Sequence, residues 1–460
     1  MKKILTVGII TAMLFSLSLT ISCNKKSPST SDSDSSIPEN TVPSSGSHKS
    51  KDVTAEIRAA WWGDTNRHAL YKKIIDKFVD AYPHIKVITE PTSWGDYWDK
   101  IQVQSAGGNA PDFMGMHQQY ASDYVRRGIL EPLDDFISDG VISTDGWTKS
   151  TLATGTIDGV TYMIPMGVAF TSCFVNEGAI KELGLESPPF DWSWDDLMSW
   201  GKEARTALDS AGKTDSWVFV DGSTNLNSWR YFVRQRGHEI YNEDGTIGFT
   251  VEDVEKWWTM FNKFREAGIV PDSATSTEYS NAALEDSLFS RDKVLINVVP
   301  INQYQLYCTT FPDKTVSIIR NPTAGSYGDS VGEFPEGAHF AISAKTSKKK
   351  KLAAAQLLNF WVNTKEGLSL FGLDQGVPGN LDLADAYSKN LDKYQLKIQE
   401  FVTTLSDIAT PTILPPSGAT EVDSIFKSLG EEVQFGHKHP KAGAQEFYDK
   451  VVSILSKNKN

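Results

Sequence analysis

The sequence predicts an α/β protein built as an open, mostly parallel sheet with helices on both faces. Two observations carry this. From Glu56 onward, short apolar runs alternate with amphipathic helical segments, an order that packs helices on a parallel sheet. The chain has 460 residues, so the part after its N-terminal segments is long enough for two such lobes joined by extended crossovers. No repeat of solenoid period interrupts the pattern.

The elements follow in order. Glu56 to Trp62 reads as a first strand. Arg67 to Tyr82 is a helix with Leu70, Ile74, Ile75, Phe78 and Tyr82 on one face, closed by Pro83. Lys86 to Thr89 is a strand. Tyr97 to Ala106 is a helix ended by Gly107 and Gly108. Asp112 to Met116 is a third strand, and Gln119 to Arg127 a helix stopped by Gly128. Further strands are expected at 161–165, 217–220, 293–299, 315–320 and 338–343. Helices are expected at 194–207, 251–267 and 347–362, with a largely helical region after Gln395.

Ahead of this body lie two segments of another kind. Lys2 and Lys3 precede an uncharged run from Ile4 to Ile21 that ends at Ser22 and Cys23, the pattern of a secretory signal. A run this long could also span a bilayer; the cysteine at the processing point favours cleavage. Thr20-Ile21-Ser22-Cys23 resembles a bacterial lipobox, although Leu19 stands four residues before the cysteine instead of three. Residues 1–22 are therefore read as a signal peptide and Cys23 as a lipidation site. Residues 23–51 form a Ser-rich tether with Pro28, Pro38 and Pro43, too polar to offset its chain entropy by burial.

The net charge of −13 argues against nucleic acid and polyanionic ligands. Beyond Cys23 only Cys173 and Cys308 remain, which excludes a disulfide framework. Two isolated buried thiols is the simpler reading and a single bridge the alternative. Motifs for metalloproteases, redox dithiols and α/β-hydrolase serines are missing, and Gly212-Lys213-Thr214 lacks the upstream glycine of a phosphate loop. His437 and His439 read as a solvated turn. The acidic pairs Asp134-Asp135 and Asp195-Asp196 sit where helix N-termini favour them.

Thirteen tryptophans are the unusual feature. Several stand among polar residues at predicted strand ends: Trp61-Trp62-Gly63-Asp64, Ser93-Trp94-Gly95-Asp96 and Asn227-Ser228-Trp229-Arg230. Ligands of open α/β sheets bind beyond the C-terminal strand ends. An indole face beside Asp, Asn or Arg suits a pyranose, which stacks its C–H face and hydrogen-bonds its hydroxyls. Strand parity puts Trp61 and Trp62 on opposite sides, with Trp61 expected in the core and Trp62 in the cleft.

The chain resembles the family 1 extracellular solute-binding proteins, the carbohydrate-binding components of ABC importers, beginning with Trp61-Trp62-Gly63-Asp64 after the first strand. The resemblance continues through Phe78-Val79 to Val87, Tyr97-Trp98-Asp99-Lys100, Ala106 to Met114, Gly128 to Asp134, Asp158 to Pro165, Phe340 to Ser343 and Gly376 to Asn380. His117 and Gln118 depart from the acidic residue that many relatives carry there, and Asp292-Lys293-Val294 replaces the usual Gly-Lys-Ala. The resemblance implies a two-lobed periplasmic-binding-protein-like fold of type II with an interlobe cleft and hinge crossings. Lobe one would hold 52–168 and 320–362, and lobe two 169–319 and 363–460. It maps ligand contacts onto Trp62, Asp64, Arg67, His117, Gln118, Trp229, Arg230, the segment from Asn297 to Gln303, His339 and the Gly376-Val377 loop. Trp62 and Trp229 would supply stacking faces from opposite lobes. Asp64 and Arg67 would grip vicinal hydroxyls, while His117, Gln118 and Asn297 adjust selectivity.

The function implied is capture of a mono- or oligosaccharide by an extracytoplasmic, lipid-anchored monomer that needs no cofactor and works with membrane permease subunits. Two other readings compete. One is a surface lipoprotein for adhesion or sensing on the same scaffold. The other is a secreted carbohydrate-active enzyme, which requires two carboxylates about 5–10 Å apart across a cleft; no such pair is evident in the sequence.

Overall fold

The computed structural model describes residues 53–457 apart from Asn281, Ala283 and Pro411. The leader, Cys23 and the tether lie outside the described residues. Among the described residues, no helix is long and apolar enough to cross a membrane.

The chain runs β1 (Ala55–Trp62), α1 (Thr65–Ala81), β2 (Ile85–Thr92), α2 (Trp94–Ala106), β3 (Phe113–His117), α3 (Gln118–Arg126) and β4 (Met163–Pro165). It crosses to a second sheet through β5 (Thr171–Asn176), α4 (Trp194–Ser210), β6 (Trp217–Phe219), α5 (Leu226–Gln235), α6 (Val251–Glu266), β7 (Val294–Pro300), α7 (Tyr304–Thr310) and β8 (Val316–Ile319). It returns for β9 (Ala338–Ile342), α8 (Lys348–Asn363) and α9 (Lys365–Phe371). It ends with α10 (Lys393–Ser406), α11 (Ala419–Gln434) and α12 (Pro440–Lys457). Shorter helices and a small hairpin fill the connections.

The fold is two-lobed α/β. The first sheet has the order β2-β1-β3-β9-β4. Its first three strands are parallel, whereas β9 runs antiparallel to both neighbours. The second sheet, β8-β5-β7-β6, has a single parallel pair, β6 with β7. The expectation of a mostly parallel sheet is thus corrected to mixed sheets. In the first sheet the break comes from β9, which arrives by a long return from the other lobe, and such a return imposes no parallel crossover.

Each sheet is covered on both faces. In lobe one, Ile74 and Phe78 of α1, Tyr97 and Ile101 of α2, and Leu357 and Trp361 of α8 close on β1, β3 and β9. In lobe two, β5 sends Cys173 and Val175 to one core and Phe174 to the other. Cys173 and Cys308 are free, buried thiols.

The lobe boundaries inferred from resemblance need moving. The segment after β8 stays on lobe two: Arg320 pairs with Asp191 and Glu333, Thr323 bridges Ser193, and Ser330 N–H donates to Gln235 O. The chain re-enters lobe one only at Ala338. Helix α9, assigned to lobe two, packs on α1 and α8 and adds Phe371 to the first core.

Three crossings lie side by side. Val168 and Val377 exchange both backbone hydrogen bonds (2.7 and 2.8 Å), and Ala169 does so with Glu336 (2.9 and 2.8 Å). A Cβ on Gly167 would sit 2.7 Å from Gln375 O. Gly376, at φ +102°, would place a Cβ 2.1 Å from Val168 O. The crossings can therefore touch backbone to backbone only because glycine stands at both positions.

Candidate functional site

The C-terminal ends of β1 and β3, with the starts of α2 and α3, form an aromatic group. Trp62 closes β1, 7 % exposed. Its ring lies over Gly115, where a Cβ would come within 2.9 Å of the indole. It meets Trp94 edge-on at 5.0 Å, Tyr97 at 5.3 Å and Trp98 at 5.5 Å. Trp98 in turn lies against Tyr120, with ring centroids 4.0 Å apart. Trp94 opens α2 behind the Ser93 cap. It is 43 % exposed and meets His117 edge-on at 5.6 Å. The free aromatic face of this group therefore belongs to Trp94.

Strand parity does send Trp61 and Trp62 to opposite faces. Both faces are roofed by helices, however, so both rings are buried: Trp61 against Tyr71 of α1 and Trp62 against α2. Trp62 supports the platform from beneath.

His117 caps α3, its Nδ1 accepting the Gln119 N–H at 3.3 Å. Burial, reinforced by the Arg230 charge, lowers its pKa to about 4. Gln118 is buried and donates to Thr154 O. His339 bonds Thr154 Oγ1 through Nε2 (2.9 Å) and Gly337 O through Nδ1 (3.0 Å). Burial, with a smaller push from His117, holds its pKa at about 3. All three therefore stand together at the end of β3 and the start of β9, with both imidazoles neutral at pH 7.

Helix α5 presents the facing polar group. Asn227 Nδ2 donates to Glu336 Oε1 at 2.6 Å, and Thr171 Oγ1 donates to Glu336 Oε2 at 3.1 Å. Burial raises the Glu336 pKa. The Arg230 guanidinium lies 4.6 Å over Phe334 and donates to Ile413 O at 2.8 Å. Arg230 thus belongs with His117 and Glu336. On its other flank, Gln119 donates to Asp423 at 2.7 Å, and burial lifts the Asp423 pKa to about 6.

Other sequence-predicted residues fall elsewhere. Trp229 is fully buried in lobe two, stacked on Phe426 at 4.9 Å. It turns inward because Leu226, Trp229, Phe232 and Val233 share the apolar side of α5, so it is no stacking face. Asp64 is the N-cap of α1, accepting Arg67 N–H at 2.9 Å. Arg67 is committed to Asp374, with Nε at 2.8 Å and Nη2 to its carbonyl at 3.3 Å; Tyr71 OH and Asn302 Nδ2 bind the same residue. This pair ties α1 to the segment after α9 and leaves little of Arg67 for a sugar. Asn297, on β7 opposite Phe174, and Gln303, in the turn before α7, make no side-chain hydrogen bond to the cluster among the described residues. Val377 acts through its backbone in the crossing ladder.

Tyr120, Asn227, Glu336 and Asp423 join the site without being expected there. Trp94 and Asn227 stand within the Trp-rich strings, which is the signal they carry in the sequence. Glu336, Asp423 and Tyr120 carried no motif.

A separate surface depression lined by Lys77, Asp80, Tyr82, Phe360 and Glu366 lies at the C-terminus of α1. That is the opposite edge of the sheet from the strand ends where ligands bind. Among the described residues, no group of three or more His, Cys, Asp or Glu could hold a metal.

Two α/β lobes that face each other across fixed aromatic and polar side chains make the architecture of a solute-binding protein. The chain belongs to the bacterial extracellular solute-binding protein family, whose model matches residues 73–397. A curated binding protein of Brucella abortus (strain 2308) is 23% identical over 398 residues, spanning 84% of this chain and 90% of that one. Among solved structures, a periplasmic oligogalacturonide binding protein from Yersinia enterocolitica, in complex with saturated digalacturonic acid, is 19% identical. It has a TM-score of 0.75 and covers 88% of this chain and 100% of its own. An ABC substrate-binding protein from Listeria monocytogenes, in complex with cycloalternan, is 20% identical with a TM-score of 0.71, covering 87% and 99%.

Proposed function

We propose that this protein captures a carbohydrate outside the cytoplasm and hands it to an ABC importer, held near the membrane by a lipid on Cys23. One observation carries the carbohydrate reading. The half-exposed face of Trp94 stands at the strand ends of lobe one, and Asn227, Arg230 and Glu336 are held in fixed orientations on the facing side. A pyranose stacks its C–H face on the indole, and its hydroxyls both donate and accept. Glu336 accepts, Asn227 and Arg230 donate, and neutral His117 offers a ring nitrogen. Two solved relatives of the same fold bind oligosaccharides, which supports the reading.

Capture would then work by closure of the lobes. A solute that touches both lobes stabilises their closed arrangement, because only there does it gain both sets of contacts. The three-stranded crossing would serve as the hinge, and the closed form is what a permease would distinguish. A thermal-shift screen tests the ligand class. Mono- or oligosaccharides should raise the melting temperature by mass action, while amino acids, short peptides and inorganic ions should not. A rise with any of the latter and none with saccharides would overturn the carbohydrate reading.

A further inference from the structure

Helix α11 starts without a cap from its own segment. Gly418 precedes it at φ +95° and offers no side-chain acceptor. The acceptor comes from the other lobe. Asp123, on α3, takes the Gly418 N–H on Oδ1 at 2.8 Å and the Thr420 hydroxyl on Oδ2 at 2.8 Å. One turn away, Gln119 Nε2 donates to Asp423 at 2.7 Å. The two helices thus run side by side in opposite directions. Yet α3 is rooted in the first core through Ala121 and Tyr124, and α11 in lobe two through Val422, Phe426 and Leu429.

We propose that Asp123, accepting the N–H of the N-cap residue Gly418 as the acidic member of a capping box does, is a capping carboxylate supplied in trans, a latch that sets the balance between open and closed lobes and hence ligand affinity. The inference rests on the capture reading above. A carboxylate at a helix N-terminus satisfies an otherwise orphaned N–H and gains from the helix dipole. Here that gain exists only while the lobes are together. When they part, Asp123 and the first turn of α11 both return to water. An interaction present in one state alone shifts the equilibrium by its full value. The apparent affinity then scales with the fraction of protein able to close. Asp123 thereby acts as a positioning residue, away from the aromatic platform.

Spin labels at Lys73→Cys on α1 and Lys263→Cys on α6, in a Cys23→Ser background, report the interlobe distance by double electron–electron resonance. Cys173 and Cys308 are buried and stay unlabelled. Asp123→Ala should cut the closed-to-open ratio about five-fold, the loss expected for one cap. Asp123→Asn keeps one acceptor oxygen but loses the charge, and should fall between wild type and Asp123→Ala. Thr420→Ala should add little on top of Asp123→Ala. For a saccharide that raises the melting temperature, Asp123→Ala should weaken binding by the same factor. Identical distance distributions for wild type and Asp123→Ala would overturn the latch. If no saccharide binds, the carbohydrate reading fails, while the distance measurement still decides the latch.

Discussion

Trp94→Ala separates the binding face of the aromatic group from its support. Trp94 is 43 % exposed, whereas Trp62 beneath it is 7 % exposed. Truncating a fully buried tryptophan costs about 3–5 kcal/mol. Trp94, a little over half buried, should therefore cost about 2 kcal/mol, a fall of about 5 °C in melting temperature for a lobe of this size. Its loss should weaken saccharide binding by about 2 kcal/mol, roughly 30-fold, as for an aromatic hot spot. Trp62→Ala should invert the balance, with the full core loss and a fall of about 10–15 °C. Calorimetric titration and ligand-free melting of both variants give the comparison, and Trp94→Phe should recover part of the affinity. Near-wild-type affinity in Trp94→Ala would refute the assignment of the stacking face.

Four further outcomes are expected. Arg67→Ala breaks a mostly buried pair with Asp374 and should cost about 2–4 kcal/mol by urea unfolding, leaving saccharide affinity within about three-fold of wild type. His339 titrates near 3 in the fold and near 6.5 when unfolded, so the unfolded chain takes up the proton first as pH falls. Its contribution is therefore flat above about pH 6.5 and lost below it. Relative to His339→Gln, the wild type should lose about 2–3 kcal/mol between pH 7 and 4.5. Cys173 and Cys308 are buried, with thiol pKa values raised mainly by burial; mass spectrometry should find both alkylated only after unfolding. Cys23→Ser should yield unprocessed or soluble protein, because no thioether can form, and a variant that still partitions into detergent as a mature lipopeptide would sink the anchor assignment.

The first half of lobe one was legible because its elements alternate cleanly. The 2-period and 3.6-period patterns place β1 to α3 within a few residues of where they stand. Strand β5 went unread. All six of its residues are buried, so no polar alternation marks it, yet it is an inner strand of the second sheet. The lobe that residues 320–337 join is not legible in the sequence, because they carry almost no regular structure. Long-range pairs such as Arg320 with Asp191, 129 residues apart, hold them, and the order of residues does not display such pairs. Trp229 misled through its polar neighbours, although the helical spacing of Leu226, Trp229 and Val233 marked it as core. For Arg67, the residue type was right for gripping a polyol, but its partner Asp374 lies 307 residues away.

Hydrogen exchange with a saturating saccharide is the most direct test of capture between the lobes. The account predicts added protection on both sides of the cleft at once: residues 93–98 and 117–121 from lobe one, and 226–235 with 418–424 from lobe two. Protection confined to one lobe, or centred on the depression at Lys77, Tyr82 and Phe360, would contradict it.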